Sequence, residues 1–463
     1  MSKTSMRSSE FGRPKSSMST FDICAMVPVL ACAYTTIIGP LIYFIFPPTA
    51  GLQGLLESRT ENRIFWPALA AISVALAVRH KSRFGRLALP PNIICLLAYA
   101  GFAGASVSWA FKPELSLIRF VQEAMVLTAI VLPAMLAVRT ADIMRGVFLC
   151  FAFAAVVNVL LIPGGYTELA QYGSAIVDIG YKGYFSGKNL LGEFAAIVFL
   201  LSLHEMLYPG RRRALGVIIA IIAVVILVFS NSKTALGLAL LAPFLAGLVL
   251  FIGRQLRISP AAILISITLG YVVVSNLSGF NMNRIAYMLT GDSSFTGRTT
   301  IWNFAEAEIA RGPLLGWGYQ SFWLVGPDAP SIVDATGWIK MMPNSHNGYY
   351  DTILELGYAG LALLLGFIFT TLHVIGRVAD HNRARGWLLL SLALFIVIYN
   401  FLETLWLRAF DMLWVVFVIV AVEAARHWQP ALLKQTVRET RPARPEGHGR
   451  VRGALSLRLR PRL

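Results

Sequence analysis

Apolar residues run along this chain in long blocks separated by short polar connections. Twelve blocks approach the ~20 mainly apolar residues that a helix needs to cross a bilayer. They fall at about 22–46, 64–78, 92–111, 117–137, 145–162, 188–207, 214–230, 234–252, 258–276, 350–376, 386–403 and 407–425. The pattern predicts an all-α integral membrane protein of about 12 transmembrane helices, with a large, partly helical outer loop between spans nine and ten. It divides the chain into a tail (1–20), nine spans (21–276), the loop (277–349), three spans (350–425) and a second tail (426–463). The first block is of span length and reads as an anchor, not as the short core of a signal peptide. No internal repeat is evident, which counts against the repeat-built transporter folds.

Composition agrees with lipid as the main solvent. Hydrophobic residues make up 56% of the chain and charged residues 14%, against about 25% charged in soluble domains. The net charge of +16 is concentrated in the two tails. The rest follows the rule that cytoplasmic connections are richer in Lys and Arg. With the N-terminus inside, short inner loops carry fourteen such residues and short outer loops carry seven. Both termini are therefore expected in the cytoplasm, with 277–349 outside. Basic segments flanking spans argue for orientation and against a nucleic-acid reader. The four cysteines, Cys24, Cys32, Cys95 and Cys150, lie in apolar runs without metal or disulfide spacing.

The long loop carries most of the candidate chemistry. Residues 297–311 read GRTTIWNFAEAEIAR, with Ile301, Phe304, Ala305 and Ile309 at helical spacing. Thr296 is the expected N-cap, and Gly312-Pro313 the stop. Trp317, Tyr319 and Trp323 follow; such rings suit either an interfacial belt or a platform for sugar faces. On this topology His346 is the one histidine facing outward, at a loop–helix junction before span ten. Histidine there suits proton transfer near neutral pH, and a structural hydrogen bond to the helix end is the alternative. Lys188, Lys233 and Arg298 stand near helix starts on the same face. Cations at helix N-termini make an anion site, and each alone also fits a snorkelling anchor. Within the spans, Arg119 and Glu123 are spaced to pair, while Glu193 and Glu355 are embedded acids that suit a structural pair, cavity lining or a proton path. There is no DxD metal motif, no P-loop and no Rossmann glycine pattern, so neither a metal nor another cofactor is expected, and activation must reside in the substrate.

The segments GYFSGKNLLGE (183–193), SNSKTALGL (230–238), GRTTIWNFAEAEIARGPLLGWGYQSF (297–322) and NSHNGYYDTILELGYAGL (344–361) together resemble the O-antigen ligase and polysaccharide polymerase superfamily of membrane glycosyltransferases. Within it the chain is most similar to succinoglycan-type exopolysaccharide polymerases. The ordered motifs cover roughly residues 183–372. The resemblance implies a metal-independent enzyme of the bacterial inner membrane whose donor is a glycan on undecaprenyl diphosphate. It implies a periplasmic Arg and His in activity, here Arg298 and His346, and a further basic residue after the seventh-span Ser. Lys233 stands where the family usually has Arg, keeping charge without the bidentate fork.

The expected reaction is polymerisation of lipid-linked repeat units, with His346 and Arg298 catalytic. Lys188, Lys233 and Arg298 would hold the diphosphate, and Trp317, Tyr319 and Trp323 the sugar rings. Expected partners are membrane lipid, a chain-length regulator and export machinery, with no nucleic acid. Ligation of a finished glycan to a lipid acceptor fits the same motifs. A flippase of lipid-linked oligosaccharide is the rival from another class.

Overall fold

The structure is a computed structural model and describes residues 22–47, 59–85, 87, 89–172, 175–278 and 297–428. Helices α1 (Ile23–Ile45), α2 (Thr60–Arg79), α3 (Pro91–Trp109), α4 (Pro113–Leu136) and α5 (Ile143–Leu160) come first. A hairpin follows, β1 (Thr167–Tyr172) and β2 (Ala175–Tyr181), then α6 (Lys188–Glu205). Next are α7 (Arg211–Ser230), α8 (Lys233–Leu256) and α9 (Pro260–Ser278). The loop helix is α10 (Arg298–Arg311), and α11 (Gly348–His381), α12 (Arg383–Tyr399) and α13 (Met412–His427) complete the bundle.

Among the described residues, nine helices are long and apolar enough to cross a membrane: α1 to α5, α7 to α9 and α11. Helices α6, α12 and α13 occupy the three other expected spans, α12 and α13 with only 17 and 16 residues. Every residue from Met412 to Arg426 of α13 is buried, as befits a helix apolar on all sides and set inside a bundle. The last two expected spans, 386–403 and 407–425, ran too close together. The chain leaves α12 at Tyr399 and enters α13 at Met412, so 400–411 is an irregular connection. The hairpin is the other departure from the expected pattern. It pairs Thr167 with Tyr181 and Leu169 with Ile179 in antiparallel register.

Helix α11 positions the site. Its 34 residues extend about 50 Å at 1.5 Å per residue, but the helix breaks at Gly357, where φ is 65° and ψ −172°. Such a break frees backbone groups that apolar surroundings cannot satisfy. The loop satisfies them. The Trp317 and Gly318 amides donate to the Leu354 and Glu355 carbonyls, each at 2.8 Å, and the Tyr358 amide donates to Pro313 O at 2.8 Å. A Cβ at Gly357 would lie 2.1 Å from the Leu314 carbonyl, so only glycine permits this approach.

The expected amphipathic helix is present as α10. Its Ile301, Ala305 and Ile309 pack against Phe322, Trp323, Ile339 and Leu354 in a core belonging to the loop itself. Gly297, at φ 84°, holds the N-cap position; the expected cap, Thr296, lies outside the described residues. Gly312 ends the helix, as its sequence indicates.

Candidate active site

Two backbone features deliver His346. Asn347 caps α11, its Oδ1 accepting from the Tyr349 and Tyr350 amides at 3.0 and 3.2 Å. His346 itself takes a left-handed conformation, φ 50°, which is uncommon for a residue with a side chain. Its neighbours fix that turn. Ser345 N donates to both oxygens of Asp351 at 3.2 Å, and Trp302 Nε1 donates to Ser345 O at 3.1 Å. Asp351 also accepts from Trp323 Nε1 (2.8 Å) and Thr404 Oγ1 (2.6 Å). It is a buried hub that ties the loop, α11 and the 400–411 connection together.

The central arrangement is a carboxylate between two functional groups. Glu403 Oε1 accepts from Arg298 Nη2 at 2.8 Å, and Glu403 Oε2 meets His346 Nδ1 at 3.0 Å. An ionised carboxylate only accepts, so the neutral ring carries its proton on Nδ1 and keeps the Nε2 lone pair available. The side chains of Arg298, Glu403 and His346 are 16%, 18% and 30% exposed. Burial works to raise the Glu403 carboxyl, but His346 and the Arg298 guanidinium outweigh it and hold the group below the usual carboxylate range. Arg298 Nε is buried and has no hydrogen-bond partner among the described residues.

Glu403 is the residue that sequence reasoning missed. It falls at the end of the expected span 386–403, and nothing in the sequence links it to a histidine 57 residues earlier. The available signal was the crowding of Glu403, Thr404, Arg408 and Asp411 around the junction of two blocks of ordinary span length.

The other expected residues divide. Lys188 opens α6 beside the trio: its neighbour Asn189 reaches Glu403 Oε1 at 3.4 Å. The Lys188 amide already donates to Glu168 Oε2 of the hairpin at 2.6 Å, so an internal carboxylate takes part of that helix start. Lys233 is exposed at the start of α8, at the same end of the bundle. It is brought near α6 by Gly192, where a Cβ would lie 2.5 Å from Ser232 Cβ. No bond among the described residues joins Lys233 to the trio. Tyr319 is fully buried and its hydroxyl donates to Leu407 O at 2.6 Å, so it secures the loop and offers no ring face to a sugar. Trp317 is half-buried, with the Arg311 guanidinium 5.3 Å from its ring centre.

Trp323 is 6% exposed and lines a polar cavity of about 260 Å³ with Arg119, Gln320, Asn344, Glu355, Thr404 and Arg408. Asn344 and Thr404 are close in sequence to His346 and Glu403, which sets this cavity beside the trio. Arg119 and Glu123 do not pair. Arg119 bonds Gln320 O, while Glu123 Oε1 accepts from Trp414 Nε1 at 2.7 Å. Glu355 instead holds Arg408 at 2.8 Å. These bonds turn Arg119 and Glu355 toward the loop.

A carboxylate-oriented imidazole beside a guanidinium with an unused donor is suited to taking a proton from a hydroxyl next to a bound anion. Comparison with known proteins agrees in class. Residues 218–365 match the family model described as O-Antigen ligase, a stretch that includes Lys233, Arg298 and His346 but ends before Glu403. The chain is 27% identical over 295 residues to the exopolysaccharide production protein ExoQ of Rhizobium meliloti (strain 1021), covering 60% of this chain and 64% of that protein. It is 25% identical over 370 residues to a protein of Rickettsia bellii (strain RML369-C) provisionally named a polysaccharide ligase, covering 73% and 87%. A Rickettsia felis protein of the same name is 26% identical over 197 residues, covering 41% and 45%.

Proposed function

We propose, from the premise that this chain belongs to the O-antigen ligase and polysaccharide polymerase superfamily, that it joins undecaprenyl-diphosphate-linked repeat units into exopolysaccharide. The reaction takes place at the periplasmic face of the bacterial inner membrane, with both termini in the cytoplasm. The observation that carries this reading is the Arg298–Glu403–His346 arrangement.

A sugar on a lipid diphosphate is already activated. His346 Nε2 takes the proton from an acceptor hydroxyl as its oxygen attacks the anomeric carbon. The bond from that carbon to the diphosphate oxygen breaks, and its electron pair leaves with the diphosphate. Arg298, with Lys188 and Lys233, neutralises that charge as it develops. Glu403 stabilises the imidazolium, which returns its proton to water. A single displacement of this kind inverts the anomeric centre. The steps route no electron pair through a metal, and the enzyme is metal-independent on this reading. The cavity lined by Trp323, Gln320, Asn344 and Thr404 receives a sugar ring beside the reacting centre.

The names of the Rickettsia relatives favour a second reading, transfer of a finished glycan to a lipid acceptor. A deletion strain separates the two. Single-repeat products mean polymerase, and full-length unattached chains mean ligase. Polysaccharide of normal length and attachment in the deletion strain would overturn both.

A further inference from the structure

The larger cavity lies at the opposite end of the bundle. Helices α8, α9, α11 and α12 enclose about 850 Å³ there. From Gly357 to Arg377, α11 rises about 30 Å, the thickness of a bilayer's hydrocarbon core. The cavity therefore stands about one membrane thickness from the Gly357 break.

Its lining is strongly cationic. Arg254 and Arg257 come from the end of α8, Arg377 from α11 and Arg383 from the start of α12, with Asp380 as the opposing carboxylate. Arg254, Arg257 and Arg383 are exposed, and none makes an ion pair with Asp380 among the described residues. Arg377 lies over the Trp428 ring at 5.3 Å. Beside the charges the wall is apolar: Leu250, Phe251, Ile258 and the Trp387 indole, whose Nε1 is tied to Pro243 O at 2.9 Å. Glycines shape the space. A Cβ at Gly247 would meet nothing nearer than Trp387 Nε1 at 3.8 Å, while at Gly376 it would strike Pro260 Cδ at 2.5 Å. One wall is thus left open while α9 and α11 are held close.

Arginines needed only for orientation can sit anywhere around the rim of a bundle. Here four, from three helices, converge on one concavity with an apolar side. Guanidinium groups match phosphate oxygens, and basic pockets between membrane helices suit lipid headgroups. We propose that this cavity binds an anionic glycerophospholipid. The arginines hold its phosphodiester, and its acyl chains lie along Leu250, Phe251 and Ile258.

The test uses the full chain purified in neutral detergent, with bound lipid read by native mass spectrometry and stability by thermal unfolding. The probes are phosphatidylglycerol, phosphatidylethanolamine and inorganic phosphate. Phosphatidylglycerol should be retained at least tenfold more strongly than phosphatidylethanolamine and should raise the unfolding midpoint. The Arg254→Gln/Arg383→Gln variant should bind it at least tenfold more weakly. Leu250→Trp, which fills the apolar wall and leaves the charges in place, should also weaken it. Millimolar inorganic phosphate should not displace it. Equal retention of the two lipids, wild-type binding in either folded variant, or displacement by phosphate alone would overturn the proposal.

Discussion

Glu403→Gln preserves the shape of the side chain and removes its charge. In the wild-type site one oxygen takes the 2.8 Å bond from Arg298 and the other the 3.0 Å bond from His346. An amide offers one oxygen and one NH₂, so either one of the two bonds is lost, or the NH₂ donates to Nδ1 and the ring takes the tautomer protonated on Nε2, which removes the free lone pair. A hydrogen bond to a charged group is worth about 1.5–3 kcal/mol, and at 18% exposure solvent screens it little. If that energy orients His346 and stabilises its protonated form, its loss lowers the rate by about 10–100-fold, since ~1.4 kcal/mol is tenfold. The assay is chain extension of a labelled lipid-linked repeat by purified protein at matched amounts. A rate within twofold of wild type would mean that Glu403 neither orients His346 nor stabilises its protonated form. The pH dependence of stability adds a check. The Glu403 carboxyl is held below its ordinary range, so its stabilising contribution is fully present above the unfolded value of about 4.3. That contribution is lost as pH falls through the lower folded value. The unfolding midpoints of wild type and variant should therefore differ at neutral pH and converge in acid.

Three further outcomes follow from the same geometry. Arg298→Ala should abolish polymerisation without preventing insertion, and Arg298→Lys should restore only part of it, because Lys supplies charge without the planar fork; wild-type activity in Arg298→Ala would remove this residue from the mechanism. Gly357→Ala forces a side chain onto a left-handed position and into the Leu314 carbonyl, at a cost of at least ~1–3 kcal/mol. It should lower the thermal midpoint and make the 313–318 segment easier to cleave by protease, and unchanged cleavage would contradict the role given to the helix break. Purified enzyme should extend chains in excess EDTA, and loss of activity restored by Mg²⁺ or Mn²⁺ would contradict the proposed metal independence.

The helical spans were legible because apolar length is a long-range signal averaged over many residues. The loop helix was legible from Ile301, Ala305 and Ile309 at one spacing. His346 and Arg298 were legible as isolated polar groups on one face, and the structure brings them onto a common carboxylate. That carboxylate was not legible. Two apolar blocks separated by a few residues look like consecutive spans, and hydropathy does not reveal that 400–411 unwinds and turns back to the loop. The surroundings of the aromatic residues were not legible, for a related reason. Composition marks Tyr319 and Trp323 as contact groups but does not say what they contact. Their polar atoms meet Leu407 O and Asp351, long-range partners that no local pattern encodes. The hairpin at 167–181 lay in what hydropathy alone reads as a connection.

On the proposed mechanism, Nε2 of His346 removes the acceptor's proton. The most direct measurement is the single-turnover rate of chain extension for wild type, His346→Gln and His346→Ala, with membrane insertion verified for each. An amide can hold the acceptor hydroxyl and can bond Glu403, but it cannot take the proton. A positioned general base contributes about 10²–10⁴-fold, so both variants should be slower by at least ~100-fold. Near-wild-type extension by His346→Gln would contradict the account, leaving His346 as a residue that orients the acceptor and the start of α11.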